Sequence, residues 1–316
     1  MDSLSRAFSD QPTVVQRQRF HTQQNRGTCN IMTKPFNFKQ ELTCVFGQPV
    51  AENPTQCMIE AAFKDCGLEW RYLTIEVAPE NLEQAVEGLW AMGFRGANLT
   101  IPHKVEVIQY LDGISDAAAM MGAVNCIVRQ DDHLLGENTD GKGFVQSLKE
   151  VTDPQGKNIV MFGAGGAARA IGVETALAGA AEITIVNRSA ERGAALVKLL
   201  DEKTEVRTRF ELWDGDYTLA DDVDVVINAT SIGLYPDVDA VFPLDFSSLK
   251  PTMIVSDVIP NPPETHLLRE AAKIGCPTLD GLGMLVNQGV IGFQLWTGVD
   301  PDPKVMRAAL EEVFGV

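Results

Sequence analysis

Positive charge is scarce in this chain. It carries 26 Lys and Arg against 43 Asp and Glu, a formal net charge of −17 over 316 residues. A protein that grips nucleic acid does so by displacing phosphate counterions with Lys and Arg, so DNA and RNA are excluded as main partners. An anionic ligand would need a local basic pocket set into the acidic background. Paired cysteines are also lacking. The six cysteines, at 29, 44, 57, 66, 126 and 276, form no C-x-x-C pair, which argues against a disulfide framework or a zinc site and for free thiols in a reducing cytoplasm. The four histidines are scattered without H-E-x-x-H spacing, and no metal site is expected. No apolar run approaches the roughly 18 residues of a membrane-spanning helix, so no membrane partner is expected either. Residues 1–35 are polar and rich in Gln and Arg, lack the apolar core of a secretory signal, and read as a disordered N-terminal extension.

What the chain does have is composition for a core, with 45% hydrophobic and 22% charged residues, and length for two domains of ordinary size. From about residue 40 short β-rich runs alternate with amphipathic helical runs. Strands are expected at "LTCVFG", "WRYLTIEV" and "GANLTI", helices over 55–67, 80–92, 103–111 and 114–121, and a hairpin in "AVNCIVRQDDHLLGENTD" turning at Asp131-Asp132. A second alternation begins near 157, with strands at "KNIVMFG", "EITIVN", 205–209, "DVDVVINAT" and "MIVSDVI" and helices over 165–179, 189–202 and 264–274. The last 35 residues read as helical. Alternation of this kind builds parallel sheets flanked by helices. The fold class is therefore α/β with two domains: an N-terminal α/β domain over 36–140 and a doubly wound parallel-sheet domain over 141–280. The cleft between them is the default place for a small ligand.

The stretch "VMFGAGGAARA" places Gly163-x-Gly165-x-x-Ala168 between a strand and a helix. Gly163 permits the tight turn, Gly165 lets backbone amides approach a pyrophosphate, and Ala168 keeps the helix close to the sheet. The turn from Gly163 through Ala164, Gly165 and Gly166 to Ala167 is thus the candidate dinucleotide cradle, with the helix N-terminus behind it. The following strand ends in "TIVNRSAER". An NAD reader usually has an acid there for the ribose 2′-hydroxyl. Here Asn187, Arg188, Ser189 and Arg192 occupy that region, and a guanidinium suits a 2′-phosphate. NADP is favoured over NAD.

A lysine, Lys104, closes the apolar stretch "ANLTIPHK", and Asp140 follows in "GENTDGKGF", read as the end of the hairpin strand. An ammonium and a carboxylate facing each other across a partly desolvated cleft form a pair of the kind that marks functional sites. A lysine there can serve as an acid–base group in carbonyl reduction.

These motifs, together with "GQPVA", "GAVNCIV", "INATSIGL" and "DGLGMLVNQG", resemble the shikimate/quinate dehydrogenase family in order and spacing across about residues 40–312. The resemblance implies a substrate domain joined by the C-terminal helices (281–316), a Rossmann-type NADP domain, and reversible hydride transfer, with 3-dehydroshikimate and shikimate, a step of aromatic amino acid biosynthesis, as the reference pair. It implies Lys104 and Asp140 as the catalytic pair, and Thr100, Asn125 and Gln288 as holders of the substrate hydroxyls. It also implies Asn228, Thr230 and Ser231 in the loop beside the cofactor, and Gly281 and Met284 near the nicotinamide. The protein is expected in the cytoplasm, as a monomer or homodimer.

The chain departs from the family at one end of the ligand. Where the family carries a Ser-x-Ser pair that binds the substrate carboxylate, this chain has Asn53 and Thr55, with Glu52 replacing the preceding histidine. Ile59 and Glu60 replace a usual His-Asn, and Pro260 lies near the position of a usual tyrosine. Asn53 and Thr55 can still donate hydrogen bonds, but Glu52 brings negative charge to the loop. Besides shikimate, the substrate alternatives are quinate or another cyclic polyol. From a different class, a non-catalytic ligand-sensing module is the rival, although a sensor has no need of the Lys104–Asp140 pair.

Overall fold

The computed structural model describes residues 38–316; the extension expected over residues 1–35 lies outside the described residues. The first half runs β1 (Glu41–Gly47), α1 (Thr55–Asp65), β2 (Trp70–Glu76), α2 (Leu82–Ala91), β3 (Gly96–Leu99), a short α3 (His103–Glu106), β4 (Gly113–Ile114), α4 (Asp116–Met121), β5 (Cys126–Gln130), β6 (His133–Glu137) and α5 (Thr139–Lys149). Its six-stranded sheet has the order β2-β1-β3-β5-β6-β4. β1 is parallel to both β2 and β3, whereas β5 and β6 form an antiparallel hairpin against β3. β3 is buried at all four positions and β1 at its last five, as expected of strands covered on both faces.

The second half runs β7 (Asn158–Phe162), α6 (Gly166–Leu177), β8 (Glu182–Asn187), α7 (Ala190–Lys203), β9 (Arg207–Leu212), β10 (Val225–Asn228), β11 (Ile254–Asp257), α8 (His266–Ile274) and β12 (Thr278–Leu279). These strands form an all-parallel sheet in the order β12-β11-β10-β7-β8-β9. Strand order reverses between β7 and β10, which is where doubly wound sheets open a ligand crevice beyond their carboxyl ends. The fold is thus α/β in two halves, as the sequence implied; the first sheet is mixed because the β5–β6 hairpin joins it antiparallel, and the second is all parallel.

Two helices close the chain, α9 (Gly281–Thr297) and α10 (Pro303–Phe314). They return to the first sheet. Leu282, Val286, Val290 and Phe293 of α9 share a core with Met58, Ile59 and Phe63 of α1 and with Met306 and Leu310 of α10. Trp296 Nε1 donates to the Ile127 carbonyl at 2.9 Å, and Gly96 is bare because that indole and that carbonyl fill the space a Cβ would need. Truncating Phe293, which is fully buried, should cost about 3–5 kcal/mol.

Three local expectations are corrected. Residues 103–111 are one short α-helix followed by a 3₁₀ turn over Val107–Tyr110. The strand expected at 205–209 lies at Arg207–Leu212. Asp140 does not end the hairpin strand, which stops at Glu137; it sits in the first turn of α5, and the 140/141 division between domains falls within that helix. The helix contains Gly141 and Gly143, poor helix formers, because two neighbours pass too close for a side chain: the Ala170 backbone of α6 at Gly141, and the Met284 and Gln288 backbone of α9 at Gly143. No helix among the described residues is long and apolar enough to cross a membrane.

Candidate active site

The polar centre of the first half is a connected hydrogen-bond network. Lys104 Nζ donates to Asp140 Oδ2 at 2.6 Å. Asn125 Nδ2 donates to the other oxygen, Asp140 Oδ1, at 2.7 Å, and to Thr139 Oγ1 at 3.0 Å. The Asn125 Oδ1 accepts from the Thr139 backbone N–H at 2.7 Å. Thr139 Oγ1 in turn reaches Gln288 Oε1 at 3.4 Å. Both carboxylate oxygens of Asp140 are therefore held, which fixes its orientation. The ammonium side chain is one-third exposed (33%), the carboxylate 18%, so the pair is partly desolvated yet open to a ligand.

Each member is placed by local chemistry. Asn138 caps α5, its side chain accepting from the Asp140 N–H, and so aims the first turn. Lys104 is the second residue of α3, which follows β3 after the short Thr100–Pro102 turn, and its own carbonyl accepts from Val124 N–H at 2.7 Å, which ties it to the segment entering β5. Asn98 Nδ2 donates to the Asn125 carbonyl at 3.2 Å, and Tyr72 O–H donates to Asn98 Oδ1 at 2.7 Å. Both are buried; they anchor Asn125 from behind and are legible only once β2, β1 and β3 are seen side by side.

The loop that departs from the family lies at the start of α1. Asn53 Oδ1 accepts from the Thr55 N–H at 3.0 Å. Thr55 is buried and Glu52 is exposed. Glu60 does not join the polar network, because its carboxylate accepts from the Tyr72 backbone N–H at 2.5 Å on the edge strand. Thr100 donates its N–H to the Phe46 carbonyl at 2.9 Å and packs its methyl over Gly47.

In the second half a crevice of about 490 Å³ opens at the point where strand order reverses. Its lining includes Gly163, Ala164, Gly165, Gly166 and Ala167 from the turn after β7, Asn187, Arg188 and Arg192 from the end of β8 and the start of α7, and Thr230 and Ser231 from the loop after β10. The sequence did not single out Trp213, Val258 or Ile259, which also line it. Ser189 caps α7, accepting from the Arg192 N–H at 3.3 Å. Asn228 is a buried strut that accepts from the Thr230 N–H and O–H at 3.0 and 2.6 Å. Arg188 and Arg192 are exposed and enter no ion pair among the described residues.

A pyrophosphate fits this turn. Gly163 has φ +112° and would drive a Cβ to 2.7 Å from the Ala229 carbonyl oxygen, whereas a Cβ on Gly165 or Gly166 would meet open space. The N-cap of α6 is Gly165, with no side chain to satisfy the first amides. Their N–H groups and the helix dipole are thus left for an anion.

Asp257, at the end of β11, organises the far wall. Its Oδ2 accepts from Asn228 Nδ2 at 3.0 Å and from Thr265 Oγ1 at 2.7 Å, and its Oδ1 from the Ile259 N–H at 3.1 Å. Burial raises its pKa above the ordinary carboxylate value, against the lowering effect of those hydrogen bonds. Gly281, at the start of α9, is bare because the Ile259–Pro260 backbone presses against it. Met284, one turn on, is half-buried. An Arg307 guanidinium on Asp280, at 3.2 and 2.5 Å, fixes the α9 N-cap.

The two halves meet through α5 and α6, where Gly141 packs on the Ala170 backbone and Arg169 donates to the Met121 carbonyl at 3.1 Å. The helix that bears Asp140 is thus seated on the helix that begins at the glycine turn. A doubly wound sheet with a glycine cradle, seated against a domain that offers a lysine–aspartate pair, defines a dinucleotide-linked dehydrogenase. Residues 45–127 match the shikimate dehydrogenase substrate binding domain, 146–235 the shikimate/quinate 5-dehydrogenase domain, and 281–311 the shikimate 5′-dehydrogenase C-terminal domain. A shikimate dehydrogenase (NADP(+)) from Methanocaldococcus jannaschii is 43% identical over 276 residues, 87% of this chain and 97% of that protein; one from Desulforamulus reducens is 41% identical over 291 residues, 90% and 98% respectively. Among solved structures, a ligand-free 5-ketofructose reductase of Gluconobacter sp. strain CHM43 superposes with a TM-score of 0.86 at 49% identity, covering 88% of this chain and all of that one. A shikimate dehydrogenase in complex with NADP+ gives 0.81 at 42%, covering 89% and 98%. The chain belongs to the shikimate/quinate dehydrogenase family.

Proposed function

We propose that the chain is an NADP(H)-linked dehydrogenase of the shikimate dehydrogenase type, which reversibly reduces a ketone flanked by hydroxyl groups. The reference reaction is 3-dehydroshikimate to shikimate. The observation that carries the reading is the Lys104–Asp140 pair at 2.6 Å, whose aspartate sits on a helix packed against the helix that follows the glycine turn.

The glycine turn and α6 N-terminus would hold the pyrophosphate, Arg188 and Arg192 the 2′-phosphate, and Met284 and Gly281 would flank the nicotinamide end. When bound, NADPH supplies the hydride. The protein's own part is the proton and the orientation. As negative charge develops on the ketone oxygen, the Lys104 ammonium stabilises it and delivers a proton. Asp140 keeps that ammonium aimed, and the exposed third of the lysine side chain gives solvent a route to restore the proton. Thr100, Asn125 and Gln288 are neutral donors and acceptors suited to substrate hydroxyls, and the burial of Asn125 and Gln288 favours a ligand whose polar groups match theirs.

The loop before α1 favours a second reading of the substrate: a neutral polyhydroxy ketone in preference to an acid. Asn53 turns its carbonyl oxygen to the Thr55 N–H, so a helix-start amide that could meet a carboxylate is already satisfied, and Glu52 adds repulsion. The 49% identity to a protein named as a 5-ketofructose reductase supports the same reading. The test is NADPH oxidation with 3-dehydroshikimate, 3-dehydroquinate and 5-ketofructose side by side. Higher kcat/KM for the neutral ketone is expected. A clear preference for 3-dehydroshikimate overturns the second reading and leaves the first. Tight ligand binding without turnover of any of them overturns the first in favour of a sensor.

A further inference from the structure

We propose that Trp213 is a positioning residue for dinucleotide selectivity: its ring holds the Arg188 guanidinium in the conformation that recognises a 2′-phosphate. The inference rests on the reading of the crevice as an NADP site and concerns how that preference is built. Trp213 follows β9, lines the crevice and is 6% exposed. Its place is fixed from several sides. The indole N–H donates to the Pro243 carbonyl at 3.1 Å, and the backbone N–H donates to the Asn187 carbonyl at 3.1 Å. The ring packs on Phe162 and Phe242, with centroids at 4.9 and 5.3 Å. This rigid platform faces an exposed arginine. The guanidinium carbon of Arg188 lies 5.2 Å from the ring centroid.

A free arginine loses rotamer entropy when it grips a ligand. An arginine already stacked on an aromatic face has lost much of it beforehand, and stacking leaves the N–H donors at the edge of the guanidinium plane available. No carboxylate among the described residues competes for those donors. The Trp213 N–H bond to the residue just before Arg188 ties the backbone and the platform together. The preference for a phosphorylated ribose therefore depends on an uncharged ring as well as on a positive charge.

The test is a double-mutant cycle with Trp213→Leu, Arg188→Ala and the pair, read by binding of adenosine 2′,5′-bisphosphate against adenosine 5′-monophosphate and of NADPH against NADH. Trp213→Leu should lower both preferences by between about threefold and tenfold, the scale of a cation–π contact. In the Arg188→Ala background the same change should alter neither preference. Trp213→Phe, which keeps a ring, should lie between wild type and leucine; if the leucine variant fails to fold, the phenylalanine variant taken through the same cycle decides. Equal weakening of phosphorylated and unphosphorylated ligands, or an undiminished effect without Arg188, would overturn the proposal. If wild-type protein binds adenosine 2′,5′-bisphosphate no better than the monophosphate, the NADP reading itself fails and this proposal with it.

Discussion

Lys104 and Asp140 stand 36 residues apart in the chain and 2.6 Å apart in the fold. The contact joins the short helix α3, which follows β3, to the first turn of α5. α5 is in turn packed on α6 and α9, the helices that bear the glycine turn and Gln288.

If Asp140 acts by aiming Lys104, the two residues form one unit. Asp140→Asn should lower kcat by roughly 10²-fold. Lys104→Ala/Asp140→Asn should be no slower than Lys104→Ala alone, since residues that act as a unit are not additive. Steady-state kinetics of the three variants checks this; multiplicative losses would separate the roles.

The loop before α1 predicts a swap of substrate preference. Glu52→His, Asn53→Ser and Thr55→Ser together remove a negative charge and present two hydroxyls. kcat/KM for 3-dehydroshikimate should rise by about 10- to 100-fold, the worth of restored hydrogen bonds to a charged group, while that for 5-ketofructose falls. An unchanged ratio in the substrate panel would place the selectivity elsewhere.

Asp257 predicts a pH effect on stability. Its folded pKa is raised by burial, so in the window above the ordinary carboxylate value the native state holds a proton that the unfolded state has released. Stability from this group is fully present below the unfolded pKa and is lost as pH rises through the folded one, with a slope of at most about 1.4 kcal/mol per pH unit. Asp257→Asn removes that dependence. Denaturant unfolding at several pH values should therefore find the variant weakest relative to wild type at the most acidic pH; a pH-independent difference would show that folding leaves the Asp257 pKa unshifted.

Much of this was legible in the chain because the signals were local. The glycine turn lies between a clean strand and a clean helix, and the run from Ala97 to Lys104 puts an ammonium at a strand mouth. What escaped was set by contacts between distant segments. α5 was unreadable because Gly141 and Gly143 weaken the helical pattern, and they are required only by the backbones of α6 and α9 passing alongside. The sequence pattern therefore places Asp140 at the end of a strand, where the fold has a helix start. Trp213 and Asp257 carry no motif; their roles depend on β9 reaching Arg188 and on β11 reaching Asn228 across the sheet. Thr139 and Asn98 look like ordinary polar residues until the network around Asn125 is assembled.

The central claim is that Lys104 supplies the proton. Pre-steady-state reduction of ketone by Lys104→Ala, paired with NADPH binding by fluorescence, tests it most directly. The account predicts a loss in rate of roughly 10²- to 10⁴-fold with dinucleotide affinity retained. A variant that reduces its substrate at the wild-type rate would contradict it.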